Sequence, residues 1–388
     1  MSTPEPPLDS IVELAARLVA TPSCGGIDAP GPVLELAHGW LAANGLRPRL
    51  LGEAAVLVEI EGGAPGPTLC LDACIDTAPA GDPARWNEAP FSGTVHDGKL
   101  WGRGAGDSKA GVAILCHVAR HFGQRPPACG TVQVLFDADE HTGRFGGVRA
   151  YLAAVDRPPD AVSLGYPGND CLVAGSRGFL RSVVRFAGVA AHSGDPARRG
   201  VNALTRAAAF ALGLAEARFP DAADAAFPFG PAATLTHLDG GEGFSVVPDL
   251  ATCHVDIRLT RTFDGDAAAR WLEAIVHAVD GEARIETVDH WPAYLVAHDH
   301  PLVRSFTAAA ETAFGRKMPA RVSGPSNIGN LLATRGVPAI CAPGVSFGDM
   351  HAANEWAEIA SFAPVYAMYC DAARRFLSPD TSAACASP

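Results

Sequence analysis

Leu100-Trp101-Gly102-Arg103-Gly104-Ala105-Gly106-Asp107-Ser108-Lys109-Ala110-Gly111 sets three glycines in front of a single carboxylate, and an apolar helical pattern opens directly behind it. Glycine admits left-handed and unusually close backbone paths, so the run predicts a loop shaped to present Asp107 at a helix start. Its spacing matches neither a P-loop nor a dinucleotide fingerprint, and an aspartate at that point would repel phosphate. Read alone, the stretch is equally a glycine-rich turn in which Asp107 caps the helix.

The segments on either side alternate. Ser10-Ile11-Val12-Glu13 has the form of a capping box, with Ile11, Leu14 and Leu18 following at helical spacing, and a second helix is expected over 32–44. Short β-rich runs cover 55–60 and 68–71, a helix 110–122, a strand 131–136, a helix 147–155 and a strand 161–164. Such alternation predicts a sheet with helices on its faces. The texture changes near Gly175. From Leu180 the order reads strand to Gly188, helix 202–219, strands 233–238 and 251–259, helix 267–279 and strand 283–288, the βαββαβ order of a ferredoxin-like α+β domain. Beyond Trp291 the α/β texture returns, with helices from Leu302 and Ile328, a strand at 337–341 and a long final helix over 355–376. The expected organisation is one α/β domain formed by 1–176 and 290–388, interrupted by an inserted domain at 177–289. The tail after Ser378 is expected to fray.

Bulk properties narrow the function classes. A chain of 388 residues with 48% hydrophobic content buries a sizeable core. A net charge of −12 argues against nucleic acid or an anionic membrane as the main partner. No apolar run reaches membrane-spanning length, the N-terminal residues lack the pattern of a secretion signal, and the ten cysteines form no CxxC pairs. A soluble cytoplasmic protein with reduced thiols is expected.

In open α/β sheets ligands gather at the carboxyl ends of strands. There the sequence offers Asp72, Cys74 and Asp76 after one apolar run, and Asp137, Asp139, Glu140 and His141 after another. Gly165-Tyr166-Pro167 follows a third, and a loop ending in His351-Ala352-Ala353-Asn354-Glu355 follows a fourth. Imidazoles and carboxylates at successive strand ends suit a zinc-like divalent metal.

These residues carry a resemblance to the M20 metallopeptidase and amidohydrolase family, which includes acetylornithine deacetylase, succinyl-diaminopimelate desuccinylase, aminoacylase and carboxypeptidase G-like enzymes. It extends over nearly the whole chain. Leu71 to Pro79 is similar to the family's Gly-His-x-Asp-x-x-Pro segment. Trp86 to Phe91, Asp97 to Gly104 and Asp107-Ser108-Lys109 are similar to its most recognisable signature. Asp139-Glu140, Ala191-His192-Ser193 with Gly200 to Ala203, Val247-Pro248-Asp249 leading to Asp256-Ile257-Arg258, and His351 to Glu355 also agree. The resemblance implies a zinc-peptidase-like α/β catalytic domain with an inserted ferredoxin-like lid through which subunits pair as a homodimer. It implies Glu140 as general base for water attack on an amide, with Asp76 orienting a ligating imidazole. His192 would reach across the dimer to the oxyanion, and Arg258 would meet a substrate carboxylate.

Three of the five expected ligand positions differ. Cys74 stands for the His before Asp76, His141 for the second Glu of Asp-Glu-Glu, and Tyr166 for the Glu of Gly-Glu-Pro. In the family, one metal uses the His, the bridging Asp and the Gly-Glu-Pro Glu; the other uses that Asp, the second Glu and the final His. The second set becomes Asp107, His141 and His351, a competent group for one catalytic zinc. The first becomes Asp107 with Cys74 and Tyr166, and tyrosine ligates well only after losing a proton with a pKa near about 10. One divalent ion, zinc by preference, is therefore expected rather than two, with Cys74 as a further candidate ligand. Ser245 stands where the family often has Asn, and Gly324-Pro325-Ser326-Asn327 where a glycine-rich Ser/Thr-Asp loop is usual. Ser245, Ser326 and Asn327 join Arg258 as substrate-binding candidates, with Arg177 and Arg321 as further anion contacts. The expected reaction is hydrolysis of an N-acyl amino acid or dipeptide-like amide. A scaffold repurposed for acyl transfer or amide formation, and a catalytically inactive binding protein, stay open.

Overall fold

The computed structural model describes residues 7–197, 199–220 and 224–378; the tail after Ser378 lies outside them. The chain divides into two compact units. One comprises Met1–Ala174, Val296–Arg321 and Arg335–Pro388, the other Gly175–Leu295 and Val322–Thr334.

The first unit is built on a mixed sheet. Its strands run in the order Arg49–Leu51, Ala55–Glu61, Thr131–Asp137, Thr68–Cys74, Ala161–Leu164, Ala339–Cys341 and Leu172–Ser176, the last continuing into the other unit. Four neighbours, Thr131–Asp137, Thr68–Cys74, Ala161–Leu164 and Ala339–Cys341, are parallel. Parallel strands are buried on both faces, and Val132, Val134, Phe136, Leu69 and Leu71 are accordingly inaccessible. The helix Ala110–Gln124 is apolar nearly all round and buried along most of its length, as a helix without a solvent face must be.

Two expectations are corrected here. The first helix begins at Leu8 behind Pro7, with no side-chain cap, so Ser10 lies inside it and its hydroxyl meets His117 Nε2 at 3.0 Å. The final helix begins at Phe362. The residues before it form a strand, Trp356–Glu358, which pairs with Lys99–Trp101 in a second small sheet completed by Phe347–Gly348 and Val95–His96. Lys99 Nζ lies 3.8 Å from the centre of the Trp356 ring, a cation–π contact that holds the pairing. The helical spacing of 355–376 hides this strand, because three residues are too few for a period of two to be seen.

The second unit carries a four-stranded antiparallel sheet in the order Ala232–Gly240, Leu250–Leu259, Gly178–Ala187, Arg284–Trp291. Helices Ala203–Glu216 and Gly265–Val279 pack on it through Phe210, Leu214, Leu272 and Val276. Asn202 and Asp264 cap them, accepting from Thr205 N and Ala267 N. No helix among the described residues is long and apolar enough to cross a membrane.

Candidate active site

The four parallel strands end along one edge of the main sheet. Cys74 and Asp137 are register partners, so the residues that follow them, Asp76 on one side and Asp139, Glu140 and His141 on the other, emerge together. Tyr166 follows Ala161–Leu164, and His351 stands in the loop between Phe347–Gly348 and Trp356–Glu358 of the small sheet. Asp139 and His351 both hold positive φ, 72° and 62°. This backbone region is sparsely used by residues other than glycine and is often occupied at functional sites.

The glycine run does present Asp107, but not as a helix cap. Residues 105–109 form a wide turn in which Asp107 and Ser108 depart from helical dihedrals, and the helix starts at Ala110 with no side-chain cap. Gly102, at φ 135°, and Gly104, at φ 85°, are irreplaceable: a Cβ would stand 2.5 Å from Val19 Cγ1 in one case and from Thr77 Cγ2 in the other. The turn is held from the far end of the chain. Glu355 Oε1 accepts from Gly106 N at 3.0 Å and Asp107 N at 3.1 Å, and its Oε2 accepts from Arg103, with both side chains buried. The small sheet puts Glu355 there by pairing Trp356 with Trp101.

Asp107, His141 and His351 converge, each offering a ligand atom within 4.8 Å of the others. His351 Nε2 lies 2.9 Å and His141 Nε2 3.4 Å from Asp107 Oδ2. Asp76 stands behind His141, 3.4 Å from its Nδ1, and accepts from the backbone N–H groups of Glu140 and His141 at 3.1 Å. Glu140 Oε2 lies 3.5 Å from the same Nδ1, and Glu140 Oε1 accepts a hydrogen bond from the Tyr166 hydroxyl at 2.9 Å.

The electrostatics follow from this crowding. Burial raises the Glu140 carboxyl to about 7, with His141 opposing the shift and Asp107 adding to it. Burial also pushes Asp107 upward, but the two imidazoles outweigh it and hold the carboxyl well below its usual range. For His141, burial lowers the pKa while Asp107 and Asp76 raise it, and the balance reaches about 11. A proton on His141 thus serves as the counter-cation of three carboxylates. Both of its ring nitrogens are nonetheless buried without a hydrogen-bond partner, an unusual state for a buried imidazole. A divalent ion fits this donor set: two imidazoles and a carboxylate suit zinc, His351 is 52% exposed on the open side, and the Asp76 carboxylate faces the far nitrogen of His141.

Cys74, Glu140 and His141 form a second converging group, but its thiol is otherwise engaged. Cys74 Sγ donates to Ser108 Oγ at 3.4 Å, and Ser108 Oγ donates to Asp107 Oδ1 at 2.8 Å. Burial, then the charges of Asp107 and Glu140, push the thiol's pKa well up, which disfavours a nucleophilic thiolate. Beneath the site Asp72 and Asp137 lie against one another, both buried. Burial raises both, Asp72 to about 7. Sequence reading assigned no role to Glu355, Arg103 or this acid pair. A visible signal for the first two was Asp97-Gly98, a strong hairpin dipeptide with both residues at positive φ, which builds the small sheet.

The other candidates lie in the second unit. His192 is exposed, its Nδ1 accepting from Gly194 N at 3.0 Å, and it bridges to Val246 beside Ser245. Arg258 Nε lies 2.8 Å from Asp256 Oδ1, while Arg181 Nε takes the other oxygen at 3.1 Å. Arg177 donates to the carbonyls of Gly324 and Gly230, and its pKa is lowered by burial and by the charge of Arg258. Ser326 Oγ donates to Arg177 O and stands 3.4 Å from Arg258. Asn327 Oδ1 caps the helix Ile328–Ala333 through Gly329 N and also accepts from Tyr294.

Comparison with known proteins adds the family. A sequence model of peptidase family M20/M25/M40 matches residues 70–375. Succinyl-diaminopimelate desuccinylase of Cereibacter sphaeroides is 29% identical over 311 residues, covering 76% of this chain and 79% of that protein. Acetylornithine deacetylase of Yersinia pseudotuberculosis is 29% identical over 322 residues, covering 76% and 81%. In three dimensions the chain matches an M20 family metallo-carboxypeptidase from Sulfolobus solfataricus with a TM-score of 0.80 at 17% identity, over 95% of this chain and 99% of that one, a likeness of fold. With a family model spanning most of its length, the chain belongs to peptidase family M20/M25/M40, a family of amide-bond hydrolases.

Proposed function

We propose that this chain hydrolyses the amide of an N-acyl amino acid or dipeptide-like substrate, using Glu140 as general base and one divalent metal, zinc by preference, on Asp107, His141 and His351. The observation that carries the reading is the convergence of these three donors beside a carboxylate held at about 7. An ion held there supplies positive charge that polarises the amide carbonyl. Glu140 takes a proton from water as the water oxygen bonds to the carbonyl carbon. When the C–N bond breaks, the departing nitrogen keeps the electron pair and receives that proton from Glu140. Asp76 holds the backbone of Glu140 and His141 in place and sets a negative charge beside the His141 ring.

Recognition is assigned to the second unit. Arg177, Arg181 and Arg258 gather around one acid, Asp256, an excess of positive charge suited to a substrate carboxylate. Ser245, Ser326 and Asn327 are the neighbouring polar candidates. This unit is proposed as the lid, pairing two chains so that His192 serves the oxyanion in the partner's site, within a cytoplasmic homodimer. The named relatives favour hydrolysis over acyl transfer and over an inactive protein.

The test is release of free amine from N-acetyl- and N-succinyl-amino acids, with metal content measured on the same preparation. We expect turnover that needs about one equivalent of metal per chain. In Glu140→Gln it should fall about 100- to 10,000-fold with metal retained. Full activity in metal-free protein, or in Glu140→Gln, would overturn the proposal.

A further inference from the structure

Glu140 reaches into the site on a side chain with three rotatable bonds, and its carboxylate must face an incoming water to act. Its backbone is fixed by the N–H bond to Asp76 Oδ1 and by the turn at Asp139. Nothing in that arrangement sets the carboxylate plane. The Tyr166 hydroxyl does, donating to Oε1 at 2.9 Å. The contact at Oε2, 3.5 Å from His141 Nδ1, is too long to do the same.

Tyr166 is well suited to this. It follows the strand Ala161–Leu164, whose neighbour Thr68–Cys74 leads to Asp76, and the chain after it is pinned where Gly168 N donates to Val345 O. Burial and the charge of Glu140 push the phenol far up, so it stays a neutral donor at every working pH. A carboxylate at the same position would repel Glu140 unless a cation lay between them. A phenol needs none and leaves Oε2 free.

We propose that Tyr166 is a positioning residue for the base: its neutral hydroxyl fixes the Glu140 carboxylate by a hydrogen bond to Oε1. The inference rests on Glu140 being the base.

The test is Tyr166→Phe, which keeps the ring and deletes the donor, assayed by amine release from N-acetyl- and N-succinyl-amino acids beside wild type and Glu140→Gln. We expect kcat to fall about 10- to 100-fold with KM within about threefold, bound metal unchanged, and the thermal midpoint within a few degrees. Wild-type kcat in Tyr166→Phe, with Glu140→Gln inactive, overturns the role of Tyr166 and leaves the base in place. A fall in kcat that tracks loss of metal overturns it as well. Undiminished turnover in Glu140→Gln removes the base assignment and the inference with it. Should Tyr166→Phe not fold, Tyr166→His, which retains a ring donor, must keep more kcat than Tyr166→Leu; equal loss in both overturns the positioning role.

Discussion

A carboxyl raised to about 7 by burial is ionised enough at neutral pH to accept a proton and acidic enough to return it. Its neighbour Cys74 is the opposite case, a thiol kept protonated by burial and surrounding carboxylates. Cys74→Ser retains a donor toward Ser108, so kcat/KM should stay within about threefold of wild type; a loss of two or more orders of magnitude would mark the thiol as nucleophile or ligand. Asp72 gives a pH signature of its own. Its folded pKa of about 7 lies above the ordinary 3.8, so the folded state holds that proton more tightly than the unfolded chain does. The associated stability is fully present below about pH 4 and is lost as pH rises through 7. Asp72→Asn removes the loss, and its thermal midpoint should exceed wild type by roughly 5 °C at pH 8, with the gap closing toward pH 4.5. A gap independent of pH would contradict the shared burial of Asp72 and Asp137. At this scale much was legible: Asp76, Asp107, Glu140, His141 and His351 follow from strand ends and family motifs, and the structure brings them together. The Tyr166–Glu140 bond was not, because a hydrogen bond across 26 residues leaves no pattern in sequence.

Among the elements, the turn at 105–109 is the one whose geometry comes from elsewhere. Glu355 satisfies two backbone N–H groups and a buried guanidinium at once. Glu355→Ala leaves Arg103 charged and unpaired where water cannot reach, and should cost about 3–5 kcal/mol in urea unfolding. Glu355→Gln still accepts from the N–H groups and should cost less. Equal stability in all three proteins would show that the clamp is incidental. The parallel strands were legible because their apolar runs end in turn residues, whereas the caps Asn202 and Asp264 went unread, so that one helix was begun at its cap and the other two residues late. The small sheet was hidden because its strands are two or three residues long and its two hairpins are joined only by the distant pairing of Trp356–Glu358 with Lys99–Trp101.

For the molecule as a whole, a site made of three buried carboxylates and one charged imidazole should be more stable with a divalent ion in place of the proton. Chelation with EDTA should lower the thermal midpoint, and titration with Zn²⁺ should restore it with a break near about one equivalent per chain; a break at two would point to a second ion on Cys74, Glu140 and His141. The second compact unit begins at Gly175, where the texture of the sequence changes, and it also takes in 322–334, a short run that carries no signal of which core it joins. The Glu355 clamp also has a consequence in time. Asp107 and His351 are 244 positions apart, and Glu355 lies further still toward the C-terminus. A ribosome that has delivered Asp76, Asp107, Glu140 and His141 has therefore made most of the machinery without the residues that set its geometry. The growing chain lacks the completed candidate site until residues 351–358 have emerged and Trp356 has paired with Trp101.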